Sequence, residues 1–353
     1  MSQRSDPSAG DRRIPRVLIV DDSAVARAAL SRFIIASGRF ELAGALPDAQ
    51  RALAFLRREP VDFILLDLVM PHQSGIDALP ELLKAGAGAR VLVVSSSAAD
   101  GAAVTMRALA LGAADTLVKP SIGAFASRFG ETLLARLDLL ATHGGGRAMP
   151  RRATVFTPPP FDAIAIGAST GGIHALASLL EQVPEEVTQP IFVTQHLPPS
   201  FSPFFAAQVG VVARRPCAIG QERRRVAAGE VLVAPGDAHL LGGMQPDGQV
   251  AIRLSQAPSP TGNLPSVDPM FASLAQAYGP RLLAIVLTGM GRDGLEGARA
   301  VRAAGGTIVV QDRDSSVVWG MPGAVAEAGL ADAVLAPREI GAMIAARRTA
   351  ARA

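Results

Sequence analysis

Residues 167–171 read Gly167-Ala168-Ser169-Thr170-Gly171, a serine with a glycine two positions away on either side. The run Ala163–Ile166 before it is strand-like, and the stretch after Gly172 is helix-like. That is the context of a nucleophile elbow, which stands a serine hydroxyl above the end of a sheet. Glycine on both sides lets the chain turn sharply there. A hydroxyl so placed needs a base and an oxyanion hole. His196 follows the apolar run 190–194 and would share the sheet rim with Ser169. Of the other four histidines, His72 and His143 lie in other segments, His174 falls inside the helix after the elbow, and His239 sits in a turn-rich stretch. Asp293 lies in a glycine-rich turn after the run Leu282–Leu287, where it would orient the imidazole and offset its charge. The backbone amide of Met290, in the same turn, would help form the oxyanion hole.

The order Ser169, His196, Asp293 is not the Ser–Asp–His order of the common α/β-hydrolases. The same turn also satisfies a second pattern, since Gly289, Gly291 and Gly294 read G-x-G-x-x-G and Asp312 ends the next strand. Alone, that would suggest a dinucleotide site. Asp293 inside the loop would repel a pyrophosphate, and the motif sits late in its domain rather than on a first strand.

The front of the chain carries another chemistry. Asp21 and Asp22 end the first apolar run, Asp67 ends the third, Ser95 the fourth and Lys119 the fifth. Adjacent strand ends would bring three carboxylates together, an arrangement that a hard divalent cation such as Mg²⁺ relieves. With the lysine and hydroxyl, they would bind a phosphoryl group, Asp67 being its covalent acceptor. Taken singly, Asp21, Asp22 and Ser23 would read as a helix cap and Lys119 as a solvated loop residue. Five groups gathered at four strand ends argue otherwise.

These positions require elements to hold them. Strand signals at Arg16–Val20, Phe40–Ala45, Asp62–Leu66, Arg90–Val94 and Thr116–Val118 alternate with helical patterns at 24–35, 48–58, 76–84, 102–111 and 122–141. Such βα repetition predicts a five-stranded parallel sheet covered on both faces. Residues 142–160, rich in glycine, proline and arginine, read as a flexible linker. A second α/β pattern follows, with strands at 162–166, 190–194, 282–287, 307–310 and 333–335. Between Cys217 and Leu254, short strands and turns predict an antiparallel excursion. The 353 residues suit two domains, 14–141 and 161–348.

Composition narrows the function. Net charge is +3 and aromatics make up 4%, so little is available for base stacking, and nucleic acid is not an expected partner. Cys217 is the single cysteine, which excludes an internal disulfide or a cysteine metal site and fits a reducing cytoplasm. No apolar run approaches the ~18 residues of a membrane span, so no direct membrane insertion is expected.

Two resemblances then appear. Val-Asp-Asp-Ser at 20–23, Leu-Asp-Leu-Val-Met-Pro at 66–71, Ser95 and Val-Lys-Pro at 118–120 resemble the response-regulator receiver domain, a flavodoxin-like fold. The resemblance implies Asp67 as phosphoacceptor, Mg²⁺ held by Asp21, Asp22, Asp67 and the Val69 carbonyl, and Ser95 and Lys119 as the phosphoryl switch. Thr116 stands where many receivers carry a switching aromatic residue. The blocks at 166–172, 195–198, 234–240, 265–268, 287–294 and 320–322 resemble the catalytic domain of the chemotaxis-type protein-glutamate methylesterases, doubly wound α/β enzymes. This implies Ser169 as nucleophile, His196 as base, Asp293 as orienter and the Met290 amide at the oxyanion, with no cofactor for the ester chemistry. It also implies glutamyl methyl esters, and in some members glutamine amides, on chemoreceptor cytoplasmic domains as substrate, and a chemotaxis-type histidine kinase as phosphodonor. Leu264 departs from a position that is often basic in that family. On a slack linker, the unphosphorylated receiver would cover the hydrolase site until Asp67 is phosphorylated. The alternative is a signalling module whose second domain serves as a binding platform or acts on a non-chemotaxis substrate.

Overall fold

In a computed structural model of the chain, the described residues are 13–71, 73–96, 99–119, 127–142 and 156–350. Most of the expected linker, together with His72, His143 and the start of the fifth helical pattern, lies outside them. The fold sorts into two units, Met1–Ser96 with Leu117–Asp138, and Ser97–Thr116 with Leu139–Ala353.

The first sheet comprises β1 (Arg16–Val20), β2 (Glu41–Leu46), β3 (Phe63–Leu66), β4 (Arg90–Ser96) and β5 (Asp115–Lys119), in the order β2-β1-β3-β4-β5. Helices α1 (Ala24–Ser37), α2 (Ala49–Leu56), α3 (Gly75–Ala85), α4 (Ala99–Ala110) and α5 (Ser127–Thr142) alternate with these strands. Strand β1 pairs in parallel with β2 and β3, and β3 with β4. Val17–Val20 and Phe63–Leu66 are buried along their whole length. A parallel strand covered on both faces needs such an unbroken apolar run, not an alternating one. The first three helices each start at a capping side chain: Ser23 accepts from the Ala26 N–H, Asp48 from Arg51 and Ser74 from Asp77.

The second sheet has seven strands. They are β6 (Ala163–Ala168), β7 (Ile191–Gln195), β8 (Cys217–Ile219), β9 (Val231–Val233), β12 (Leu282–Val286), β13 (Thr307–Gln311) and β14 (Ala333–Leu335), in the order β14-β13-β12-β6-β7-β9-β8. The two remaining strands, β10 (His239–Met244) and β11 (Val250–Ser255), form a separate antiparallel hairpin. The antiparallel excursion is therefore narrower than expected. Strands β8 and β9 pair in parallel within the main sheet. They are three residues each, too short to display a period that tells one orientation from the other.

Helices α6 (Gly172–Leu180), α7 (Ser202–Ala213), α8 (Val267–Tyr278), α9 (Leu295–Ala303), α10 (Met321–Glu327) and α11 (Pro337–Ala350) complete the chain. Phe192, Leu232, Leu240, Ile252, Met270, Phe271 and Leu274 form one buried cluster that joins the sheet, the hairpin and α8. Burying each such side chain contributes ~1.5–3 kcal/mol. The chain leaves β6 in one direction toward β7 and returns on its other side as β12. That reversal opens a crevice at the strand ends, where ligands of open α/β sheets bind. Among the described residues, no helix is long and apolar enough to cross a membrane.

Candidate functional site

Ser169 follows Ala168, the last residue of β6, and His196 follows Gln195, the last of β7; Ala168 and Gln195 are register partners. The two chemical groups thus leave the same level of neighbouring strands. The Ser169 backbone is tied on both sides. Its N–H donates to the Thr288 carbonyl at 3.0 Å, and its carbonyl accepts from Gly172 N–H and Gln195 Nε2, both at 2.8 Å. Its hydroxyl makes no hydrogen bond among the described residues and is not joined to His196 in this resting geometry. Such bonds often tighten only once substrate is in place.

The two flanking glycines serve different ends. Gly171 has φ +76°, a left-handed conformation that turns the chain into α6. Gly167 does not turn. It lies within β6, where a Cβ would stand 2.4 Å from Val267 Cγ1, so its task is close approach.

Beyond the strand ends, His196 Nε2 lies 2.7 Å from Asp293 Oδ2. Asp293 is fully buried, and its carboxylate also accepts from Ser266 Oγ (2.7 Å), Val267 N–H (2.8 Å), Gly294 N–H (3.1 Å) and Asp268 N–H (3.2 Å). Burial pushes this carboxyl up, but the bonds from His196, Val267 and Ser266 outweigh it and hold the group at about 2. Because Nε2 faces the carboxylate, the proton sits there and Nδ1 is left as the acceptor. This is the reverse of the chymotrypsin assignment, in which Nδ1 faces the aspartate. His239 is a buried support: Nε2 donates to the Ala257 carbonyl at 2.8 Å, and Nδ1 accepts from the Ser266 N–H at 2.9 Å. His174 is an exposed residue of α6.

The glycine-rich turn after β12 lies directly against the elbow, since a Cβ on Gly289 would come 2.8 Å from Ser169 Cβ. Gly289 donates to the Val318 carbonyl and accepts from Gly320 and Met321. The Met290 N–H that follows donates no hydrogen bond among the described residues, and the Met290 side chain is exposed. The N-terminus of α9 is occupied by acid: Asp293 accepts from Gly294 N–H, and Asp268 accepts from Gly297 N–H at 2.7 Å. Two carboxylates there argue against a pyrophosphate, which would need those same donors.

In the first unit, Val20 and Leu66 are register partners, so Asp21 and Asp67 emerge side by side. Ligand oxygens of Asp21, Asp22 and Asp67 lie within 4.8 Å of one another. Lys119 Nζ reaches Asp67 Oδ2 at 2.5 Å and Asp21 Oδ2 at 2.8 Å. Burial raises the Asp67 carboxyl, with Asp21's charge adding to it and Lys119 opposing. For Lys119, burial acts downward, but the two carboxylates outweigh it and raise the amine. Three carboxylates against one lysine leave negative charge and oxygen donors, the set that suits Mg²⁺. The Val69 N–H donates to Asp67 Oδ1 at 3.2 Å, while its carbonyl accepts no hydrogen bond among the described residues. Gly75 brings α3 onto this loop, because a Cβ there would meet the Asp67 carbonyl at 2.0 Å. Ser95 is the penultimate residue of β4, and its side chain lies outside the described set.

Sequence reasoning did not find Ser266, His239, Gln195, Thr288 or Gln311 as parts of this site. Four of them sit in blocks already noted, but only folding shows which neighbours each one holds.

These features define a class: a receiver-type sheet with an acidic cluster and a lysine at its strand ends, joined to a doubly wound α/β unit with serine, histidine and aspartate at its rim. The CheB methylesterase family model matches residues 164–344, and that of the response regulator receiver domain matches residues 17–124. A Caulobacter vibrioides protein named protein-glutamate methylesterase/protein-glutamine glutaminase 2 is 42% identical over 346 residues, spanning 94% of this chain and 98% of its own. A Paramagnetospirillum magneticum protein, named protein-glutamate methylesterase/protein-glutamine glutaminase 1, is 38% identical over 369 residues, spanning 94% and 97%. The crystal structure of the Thermotoga maritima CheB methylesterase catalytic domain is 33% identical, with a TM-score of 0.51, covering 54% of this chain and 100% of that one. The chain belongs to the CheB methylesterase family and carries a response regulator receiver domain ahead of the esterase domain.

Proposed function

We propose that the chain hydrolyses glutamyl methyl esters, and glutamine side-chain amides, on chemoreceptor cytoplasmic domains, with Ser169 as nucleophile. The observation that carries this reading is the 2.7 Å bond from partly exposed His196, one residue past the strand that neighbours the serine elbow, to the buried Asp293 carboxylate. Ser169 Oγ attacks the ester carbonyl as its proton passes to His196 Nδ1. Asp293, held ionised, offsets the imidazolium that forms. The carbonyl oxygen becomes an oxyanion facing the Met290 N–H. His196 then gives its proton to the departing methanol, or to ammonia from an amide, leaving an acyl-enzyme. Water, deprotonated by His196, releases glutamate and restores the serine.

The receiver, taken as 14–141 and linked through 142–160 to an esterase domain of 161–348, would set this rate. Asp67 accepts the phosphoryl group from a chemotaxis-type histidine kinase in the cytoplasm. Asp21, Asp22, Asp67 and the Val69 carbonyl would hold Mg²⁺, which when bound neutralises charge around the phosphoryl group. Lys119 pairs with that group, and Ser95 supplies the switch hydroxyl.

The test is methanol release from methylated chemoreceptor membranes by wild type, Ser169→Ala and Asp293→Asn, with and without Mg²⁺ and a small phosphodonor. Release that needs Ser169, falls by up to ~10⁴-fold in Asp293→Asn and rises with phosphodonor is expected. Release by Ser169→Ala at the wild-type rate would remove the serine from the mechanism. No release by folded wild type would mean another substrate.

A further inference from the structure

We infer that Thr288 is a positioning residue of the esterase: its buried hydroxyl locks the turn carrying Met290 to the turn carrying Ser169. The inference rests on the roles proposed above for Ser169 and the Met290 amide. Thr288 is fully buried and is bonded to the serine elbow, to the loop at Val318 and to Gln311 at the end of β13. Its Oγ1 donates to the carbonyls of Thr170 (3.0 Å) and Val318 (3.1 Å), which share one proton, and accepts from the Val318 N–H at 2.9 Å. Its carbonyl accepts from Ser169 N–H at 3.0 Å, and its own N–H donates to Gln311 Oε1 at 2.7 Å.

Gln311 backs this arrangement. It too is fully buried, and its Nε2 is fixed by the Ser315 carbonyl at 2.9 Å and Ser315 Oγ at 3.1 Å. The Val318 carbonyl also accepts from Gly289 N–H, so Thr288 and Gly289 share an anchor. The residue before Met290 therefore has no slack, and the one after Ser169 is held by the Thr288 hydroxyl. The gap between the Ser169 hydroxyl and the Met290 N–H is the distance that this side chain sets. An oxyanion donor must lie ~2.7–3.1 Å from the oxygen that develops charge. A shift of ~1 Å in such a site costs ~10²-fold in rate.

Valine has the shape of threonine without the hydroxyl, so Thr288→Val tests the bonds and not the packing. Full-length Thr288→Val, Thr288→Ser, Gln311→Met and Ser169→Ala are compared on methylated chemoreceptor membranes, with active sites titrated by a serine-directed fluorophosphonate. The expected result is a kcat per titrated site ~10–100-fold lower in Thr288→Val, with KM within ~2-fold of wild type. Thr288→Ser, which restores the hydroxyl, returns kcat to within ~3-fold of wild type. A wild-type kcat per site in Thr288→Val, even with a lowered Tm, overturns the inference, because a purely structural residue behaves that way. A change confined to KM overturns it too. Should Thr288→Val not fold, Gln311→Met decides by the same split of kcat and KM. Wild-type turnover in Ser169→Ala would instead sink the nucleophile assignment on which the inference stands.

Discussion

Asp268 donates its backbone N–H to the Asp293 carboxylate at 3.2 Å while keeping its own carboxyl buried close by. One oxygen of that carboxyl accepts from the Gly297 N–H and so caps α9 from across the fold. The other is buried with no hydrogen-bond partner among the described residues. The backbone of Asp268 thus stabilises a negative charge that its side chain opposes.

Asp268 accordingly makes the fold pH-sensitive. Burial, and then the charge of Asp293, raise its carboxyl to about 6, against an unfolded value of ~3.9. The folded state holds a proton there that the unfolded chain has already released. Stability therefore falls as pH rises from ~4 through about 6. Asp268→Asn keeps the acceptor for Gly297 and cannot ionise. Its Tm, relative to wild type, should increase by at least ~2–4 °C between pH 4.5 and pH 7.5. Asp293, held at about 2, is already ionised at the lower end of this window. A Tm difference that stays level with pH, measured by thermal unfolding, would show that Asp268 does not titrate in this window.

Ser169, His196 and Asp293 are legible in the sequence because each follows an apolar run, and parallel strand ends converge on one rim. The acid cluster at Asp21, Asp22 and Asp67 is legible for the same reason. The supports are not. His239 stands 27 positions before Ser266, and its bond to that amide exists only once the β10–β11 hairpin has folded. Gly167 looked like a turning residue, yet its conformation is ordinary. The need for glycine comes from Val267, a hundred residues downstream. Pairings between distant segments leave no local period to read, and the three-residue strands β8 and β9 were too short to show their orientation.

The Gly167–Val267 contact ties packing to chemistry. Adding a methyl at Gly167 would place it 2.4 Å and 2.7 Å from the two Val267 Cγ atoms, and both β6 and Val267 are fully buried. Overpacking of this kind costs ~1–3 kcal/mol. Val267 is also the residue whose N–H holds Asp293 Oδ2 at 2.8 Å. Gly167→Ala should therefore lose both stability and kcat. Gly167→Ala/Val267→Ala should lose less than the sum of its two single variants, because the second change makes room for the first. Denaturant titration of the four proteins gives the coupling. Strict additivity would mean that the methyl is accommodated elsewhere.

In the receiver, Asp21 and Asp67 are buried together with one lysine between them, and the exposed Asp22 adds a third carboxylate. Lys119 alone cannot neutralise three acids, and a phosphoryl group on Asp67 would bring further negative charge. Stimulation by a phosphodonor should therefore require both Asp67 and a divalent cation. The quantity to measure is the ratio of methanol release with a small phosphodonor to release without it. That ratio should exceed one in wild type with Mg²⁺, and fall to one in Asp67→Asn or after chelation with EDTA. The EDTA effect should reverse when Mg²⁺ is restored, and unstimulated release should survive chelation under the cofactor-free esterase chemistry proposed above. A ratio above one in Asp67→Asn would place the phosphoacceptor elsewhere. A loss of unstimulated release on chelation would mean that a cation serves the esterase site as well.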